Sequence, residues 1–366
     1  MFSHRLRLAR KRAGLSLRDL AEKIDNEVSH QAIKKYEDGE MYPNSRVLVS
    51  LSRALGVSID FLMSSQVEGL AEVEFRQHSG TTQKDRARIE AAVIEAVERY
   101  LEVESVLGIE EDAVDLGGVD DPCPLESLEE AEQRADELRI HWRLGRDPIP
   151  TVTVLLEEKG FKVIEADLPD GVDGLTCTVQ REGGKPPMAV IVVAKNQLSV
   201  ERRRFTLMHE LAHKVITQVA EGIKKEIAMH RFAGAFLVPA EHVTAEAGTT
   251  RRALAYMEII RLKQLYGVSA ASFLMRLRDL GMLSREAVEA AFRTYARTWR
   301  KQEPSPIELD KGLHFERPVR FQQLVYRALA EQMLSLPRAA ELLNCPIANV
   351  EAAVKGPSAR NADHPE

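Results

Sequence analysis

A chain of 366 residues, 44% hydrophobic and 29% charged, is long enough for two or three domains, each with its own core. Its formal net charge of −6 argues against nucleic-acid binding by the molecule as a whole, so any such role must lie in a locally basic part. Three cysteines, Cys123, Cys177 and Cys345, are odd in number and far apart, which argues against a disulfide framework or cysteine-held zinc and for a reducing compartment. Cys177 reads as buried packing rather than as a redox sensor. No apolar run follows Met1, and no stretch approaches the ~20 apolar residues that span a bilayer. The expectation is a cytoplasmic protein without a membrane partner.

The basic part is the first 65 residues. Arg5, Arg7, Arg10, Lys11 and Arg12 crowd one short helical stretch. Ser16, with Asp19 three residues later, makes a capping box for a helix through Leu17, Leu20, Ala21 and Ile24. After a turn containing Asp25 and Asn26, Ser29 caps a helix from His30 to Glu37 whose inward face is Ala32, Ile33 and Tyr36. Gly39 and Pro43 punctuate a loop. Ser45 opens a helix through Val47, Leu48, Leu51 and Leu55 that stops at Gly56, and Ser58 starts a last turn through Phe61 and Leu62. Five short helices at this spacing predict a helix-turn-helix domain.

The stretch resembles the XRE (Cro/repressor-like) DNA-binding family. Leu15-Ser16-Leu17-Arg18-Asp19-Leu20-Ala21, Gln31-Ala32-Ile33-Lys34-Lys35-Tyr36-Glu37, Gly39, Pro43 and Leu55-Gly56-Val57 fall where its pattern expects. The resemblance implies that the helix from His30 enters the major groove of double-stranded DNA, with Ser29, His30, Gln31 and Lys34 reading base edges. Arg10, Lys11, Arg12 and Lys35 would then hold phosphates. The turn Asp25-Asn26-Glu27-Val28 departs from the pattern, being about two residues longer than usual and carrying two acids.

Residues 66–124 read as a helical and acidic linker: polar sequence, a long helix from Gln83 through Ile89, Val93, Ile94, Val97, Tyr100 and Leu101, then an acidic, glycine-containing loop over 110–121. A helix follows from Leu125 to Trp142, and Gly145-Arg146-Asp147-Pro148-Ile149-Pro150 leads into residues 152–156. Phe161-Lys162-Val163-Ile164 is a predicted strand, Asp173-Gly174-Leu175-Thr176-Cys177 the start of another, and Met188-Ala189-Val190-Ile191-Val192-Val193-Ala194 a third.

On the helix that follows a turn at residues 195–199 lies His209-Glu210-Leu211-Ala212-His213. Two histidines four apart share one helix face, so their imidazoles can hold one tetrahedral cation, with the intervening glutamate beside the water it activates. Zinc so placed lowers the pKa of that water, and Glu210 can take its proton as it attacks an amide carbonyl. Phe205, Leu207, Met208, Leu211, Ala212, Val215 and Ile216 give the helix an apolar surface for core packing. A third protein ligand must come from Glu221, Glu226, His230, Glu241 or His242. Glu226 is preferred because His230 follows one turn later on a predicted helix at 225–237, with Glu221 and His230 as alternatives.

The run from Arg204 to His213, Glu226, and Arg231-Phe232-Ala233-Gly234-Ala235-Phe236-Leu237-Val238-Pro239 together resemble the ImmA/IrrE family of zinc metallopeptidases. The resemblance implies a cytoplasmic endopeptidase acting on a repressor, with His209, His213 and Glu226 on zinc (Zn2+) and Glu210 as catalytic base. Ala212 stands where many members have glycine, and Ala228, Met229 and His230 where the family often has Glu-Ala-Asn.

Beyond Pro239 the chain reads as helical. Residues 257–265 and 270–280, and again 336–343 and 347–354, form helix-turn-helix shapes better suited to covering a core than to touching DNA. The fold class expected is therefore multidomain. An all-α helix-turn-helix domain at residues 1–65 is followed by the linker at 66–124. Then come an α+β zincin-like peptidase domain with a small sheet at 125–250, a helical region at 251–355 and a disordered tail at 356–366. The function this implies is a DNA-binding transcriptional regulator carrying a zinc metalloendopeptidase that cleaves a repressor, an antitoxin-like protein or itself. The alternative is a regulator whose peptidase-like domain only senses a ligand or metal. Homodimerisation is expected, because one such module reads only a half-site.

Overall fold

A computed structural model of the protein describes residues 2–63, 67–71, 82–109, 114–119, 123–197, 199–307 and 316–355. The N-terminal unit contains α1 (Phe2–Ala13), α2 (Leu17–Lys23), α3 (His30–Glu37), α4 (Ser45–Leu55) and α5 (Ile59–Met63). Its helix ends follow local capping chemistry. Ser16 and Asp19 satisfy each other's backbone N–H, Ser29 accepts from Ala32 N, and Gly56 closes α4 in the left-handed region at φ 63°. The cap of α4 is Asn44, one residue before the expected Ser45. In the long turn Asp25 and Asn26 both adopt positive φ (55° and 54°), and Asn26 N donates to Ala21 O at 2.8 Å. The extra residues therefore coil against the end of α2.

Four strands among the described residues form one mixed sheet, ordered β1-β3-β4-β2. They are β1 (Val67–Ala71), β2 (Lys162–Ala166), β3 (Gly174–Arg181) and β4 (Met188–Ala194). β2 runs parallel to β4, whereas β3 is antiparallel to both β4 and β1. The fully apolar β4 lies in the middle and is covered on both faces. Alternation decides what meets each face. Leu175, Cys177, Val190 and Val192 enter one core, and Val163, Ile191 and Val193 the other.

The first core is shared with the N-terminal unit. Leu6, Leu20, Ile33, Leu51 and Leu62 join Ile89, Val93, Ile94 and Val97 of α6 (Gln83–Val106) and run on into the sheet. Burying side chains of that size contributes about 1.5–3 kcal/mol each, so α6 and α1 are held together strongly. Arg5, fully buried, reinforces the seam by donating to Glu98 at 2.5 Å and to Val67 O at 3.0 Å. At its far end α6 gives Tyr100 and Val103 to a third cluster. Its other members come from α15 (Arg320–Ala330), α16 (Leu336–Leu343) and α17 (Ile347–Lys355). The stretch read as a linker thus contributes an edge strand, with a register shift at Gly69, and a helix that enters two cores.

The second core surrounds α9 (Val200–Val215) and α10 (Lys225–Leu237). It takes in α7 (Leu128–His141), α8 (Val152–Glu158), α11 (Ala240–Ala247), α12 (Tyr256–Tyr266), α13 (Ala270–Asp279) and α14 (Arg285–Arg293). It extends past residue 250, with Tyr266, Phe273 and Trp299 all buried in it. The architecture is multidomain α+β: a helical N-terminal unit, a small mixed sheet, and helices to the C-terminal side. The acidic loop over 110–121 falls partly, and the tail 356–366 wholly, outside the described residues. Among the described residues no helix is long and apolar enough to cross a membrane.

Candidate metal centre and candidate nucleic-acid interface

The metal-ligating residue types converge where α9 meets α10. Ser199 caps α9 by accepting from Arg202 N, and every residue from Thr206 to His213 is buried. His209 and His213 lie one turn apart with Nε2 atoms 3.3 Å from each other. Glu226, in the first turn of α10, places Oε2 3.2 Å from His209 Nε2 and Oε1 3.8 Å from His213 Nε2. Three ligands at tetrahedral corners, each about 2.0–2.1 Å from a zinc ion, stand about 3.3 Å apart, so this donor set and spacing fit such an ion. Both imidazole side chains are nearly inaccessible, at 0% and 3%, whereas that of Glu226 is 51% exposed, leaving an approach from solvent on the α10 side.

Glu210 is 1% exposed and faces the sheet beside β3. A Cβ built on Gly174 would lie 2.6 Å from Thr206 Cγ2 and 3.4 Å from Glu210 Cγ, and 3.0 Å from Val192 O. The missing side chain is what lets α9 settle this closely on the sheet. Gly174→Ala is expected to cost about 1–3 kcal/mol by overpacking. Chemical denaturation would detect it, and an unchanged unfolding midpoint would contradict the close fit. Nothing in the strand's alternation singles out this glycine.

The other candidates are placed elsewhere or at the rim. His230 lies against the cluster, its ring centroid 4.8 Å from that of His209 and 5.6 Å from that of Phe205, but outside the ligand triplet. Glu221 sits on the turn before α10, also outside it. Glu241 pairs with Arg146, and His242 Nδ1 lies 2.8 Å from the Tyr266 hydroxyl, so both are engaged away from α9. Cys177 is buried on the opposite face of β3, where burial, and secondarily the charge of Glu210, push its thiol up to about 12 against the pull of Lys214. Such a thiol is packing, not a sensor.

In the N-terminal unit, Ser29, Gln31, Lys34 and Lys35 are exposed and His30 half-buried on the outer side of α3, opposite Ile33 and Tyr36. Lys34 is held by Asp38 at 2.7 Å. Two of the residues expected at phosphates are engaged within the unit. Arg10 makes a two-point salt bridge to buried Glu37, at 2.6 and 2.8 Å, and donates to Leu15 O, tying α1 to α3. Arg12 donates to Gly56 O at 2.9 Å. Lys11 and Lys35 stay exposed.

A histidine pair on a buried helix, a carboxylate from the next helix and a small sheet beneath define a metallopeptidase-like domain, here behind a helix-turn-helix unit. Comparison with known families agrees on both. A peptidase-family model described as "IrrE N-terminal-like domain" matches residues 156–278, and one described as "Helix-turn-helix" matches residues 6–62. The chain is a fusion of an XRE-type helix-turn-helix domain with an ImmA/IrrE-type peptidase domain. No curated protein matches it.

Proposed function

We propose that this protein is a cytoplasmic, homodimeric transcriptional regulator whose peptidase domain is a zinc-dependent endopeptidase, cutting a repressor-like protein or the chain itself. The observation that carries this is the convergence of His209, His213 and Glu226 with Glu210 in the same buried helix wall. His209, His213 and Glu226 would hold the zinc, which when bound supplies Lewis-acid polarisation of the scissile carbonyl and a lower pKa for water. Glu210 is the general base: it takes the proton of the attacking water and returns it to the leaving amine. Burial of Glu210 and both histidines keeps competing bulk water from the reacting atoms, while half-exposed Glu226 marks the side open to solvent.

The ligand assignment predicts that purified protein carries one zinc per chain and that His209→Ala releases it. Unchanged stoichiometric metal in that variant, by mass spectrometry, would refute it. DNA recognition is proposed to run through Ser29, His30, Gln31, Lys34 and Lys35, with Gln31 suited to a two-point hydrogen bond with adenine. Replacing both Gln31 and Lys34 by alanine should weaken binding to the chain's own promoter region, by about 1–3 kcal/mol for each side chain that reads a base. Wild-type binding should fall steeply with salt. Salt-independent binding in a mobility-shift titration, or none to any genomic fragment, would sink the DNA-binding role.

A further inference from the structure

The surface just past α14 carries a patch that neither the metal centre nor α3 uses. Residues 293–301 hold four cations, Arg293, Arg297, Arg300 and Lys301, and no acid, in a chain whose net charge is −6. All four are exposed, and among the described residues none makes a salt bridge. Elsewhere on the surface such cations are paired at helical spacing, as in Arg285 with Glu289, Arg327 with Glu331 and Lys355 with Glu351. Here the backbone leaves the helix at Thr294 and continues in tight turns, Trp299 N donating to Ala296 O at 3.2 Å and Lys301 N to Thr298 O at 2.8 Å. Ala296 and Trp299 are buried in the second core and pin these turns down. The four cations therefore stand on a fixed base.

Aromatic rings are interleaved with the charges. Tyr295, and Tyr256 from the first turn of α12, are 51% and 48% exposed, and both lean on Trp299, with ring centroids 5.4 and 6.2 Å from it. Arg300 Cζ lies 5.0 Å from the Phe292 ring centroid, so its guanidinium is held against that ring. Cations alone would suit any polyanion. Half-exposed rings braced by Trp299 add flat faces on which bases stack, whatever their sequence. An anionic membrane is a poorer match, because Trp299, the ring best suited to a lipid interface, is packed in the core. We propose that this surface binds single-stranded nucleic acid, its phosphates on Arg293, Arg297, Arg300 and Lys301 and its bases on Tyr295 and Tyr256. It is separate from the duplex-reading surface proposed for α3, because it is built on the second core, by α12 and the turns after α14.

The test is fluorescence anisotropy of the full-length protein with labelled oligothymidylate and oligouridylate, homopolymers that form no duplex of their own. At least one is expected to bind, and the stronger of the two names DNA or RNA as the source. Tyr295→Leu keeps an apolar cover over Trp299 but removes the flat face, and should weaken binding about tenfold. Arg297→Ala with Lys301→Ala removes two phosphate contacts from exposed positions. That double variant should flatten the slope of log affinity against log salt by about 1.4, at about 0.7 per contact, with thermal unfolding unchanged. The proposal is overturned if neither homopolymer binds, if Tyr295→Leu binds both as well as the parent, or if the double variant leaves the salt slope unchanged. Capture of phosphatidylserine vesicles in place of the oligonucleotides would overturn it in favour of a membrane surface. None of these outcomes depends on whether the peptidase turns over.

Discussion

Replacing Glu210 by glutamine is expected to lower peptide cleavage by about 10²–10⁴-fold, the usual contribution of a positioned general base. The amide nearly matches the carboxylate in shape, so packing against Gly174 and Thr206 is preserved, and the metal-binding atoms of His209, His213 and Glu226 are untouched. What disappears is the ability to accept a proton. Metal content and thermal stability should therefore stay at wild-type values while turnover collapses. The measurement is a proteome-wide comparison of cells carrying either form, with promoter output followed in parallel. Substrate fragments present with Glu210 and missing with the glutamine form would also name the substrate. If cleavage patterns and promoter output are the same in both, the domain senses without cutting and the endopeptidase proposal fails.

Why some of this was legible in the sequence and some was not is a matter of range. The α9 helix could be read because its signals are local: two histidines and a glutamate at helical spacing, on a helix following a continuous apolar strand. The caps at Ser16, Ser29 and Gly56 are equally local, each resting on atoms three to four residues away. β1 escaped because Val67-Glu68-Gly69-Leu70-Ala71 is a short edge strand whose alternation is broken by a register shift at Gly69. Arg10 looked like a phosphate ligand because its partner, Glu37, is 27 positions away, and counting basic residues says nothing about which are already paired. For residues 66–124 the polar stretches suggested a solvated connection. The apolar positions of α6 instead face two cores, which only the tertiary arrangement shows.

Glu316→Ala is expected to destabilise the protein by about 3–5 kcal/mol, the cost of stranding a buried charge by removing its partner. Glu316 and Arg204 both have fully buried side chains and meet at 2.6 Å, joined across 112 positions of sequence. Burial alone drives the Arg204 guanidinium toward its neutral form, and Glu316 is the main counterweight. The same carboxylate accepts from Val152 N, Thr153 N and Thr153 Oγ1, each at 2.8 Å, and so also satisfies the first turn of α8. Arg204 in turn donates to Ile149 O at 2.7 Å and to Tyr266 O at 3.2 Å. It can reach there because Gly267 has no side chain: a Cβ would lie 2.6 Å from Arg204 Nε. Removing the Glu316 carboxylate therefore orphans a guanidinium on α9, five residues before His209, and two N–H groups on α8. The metal centre should suffer with the fold, showing weaker zinc retention as well as a lower denaturation midpoint. Exchanging both partners for apolar residues, Arg204→Met with Glu316→Leu, removes the stranded charge and should recover part of the stability. A change below about 1 kcal/mol in Glu316→Ala, the range of exposed ion pairs, would show that this clamp does not hold α9 in place.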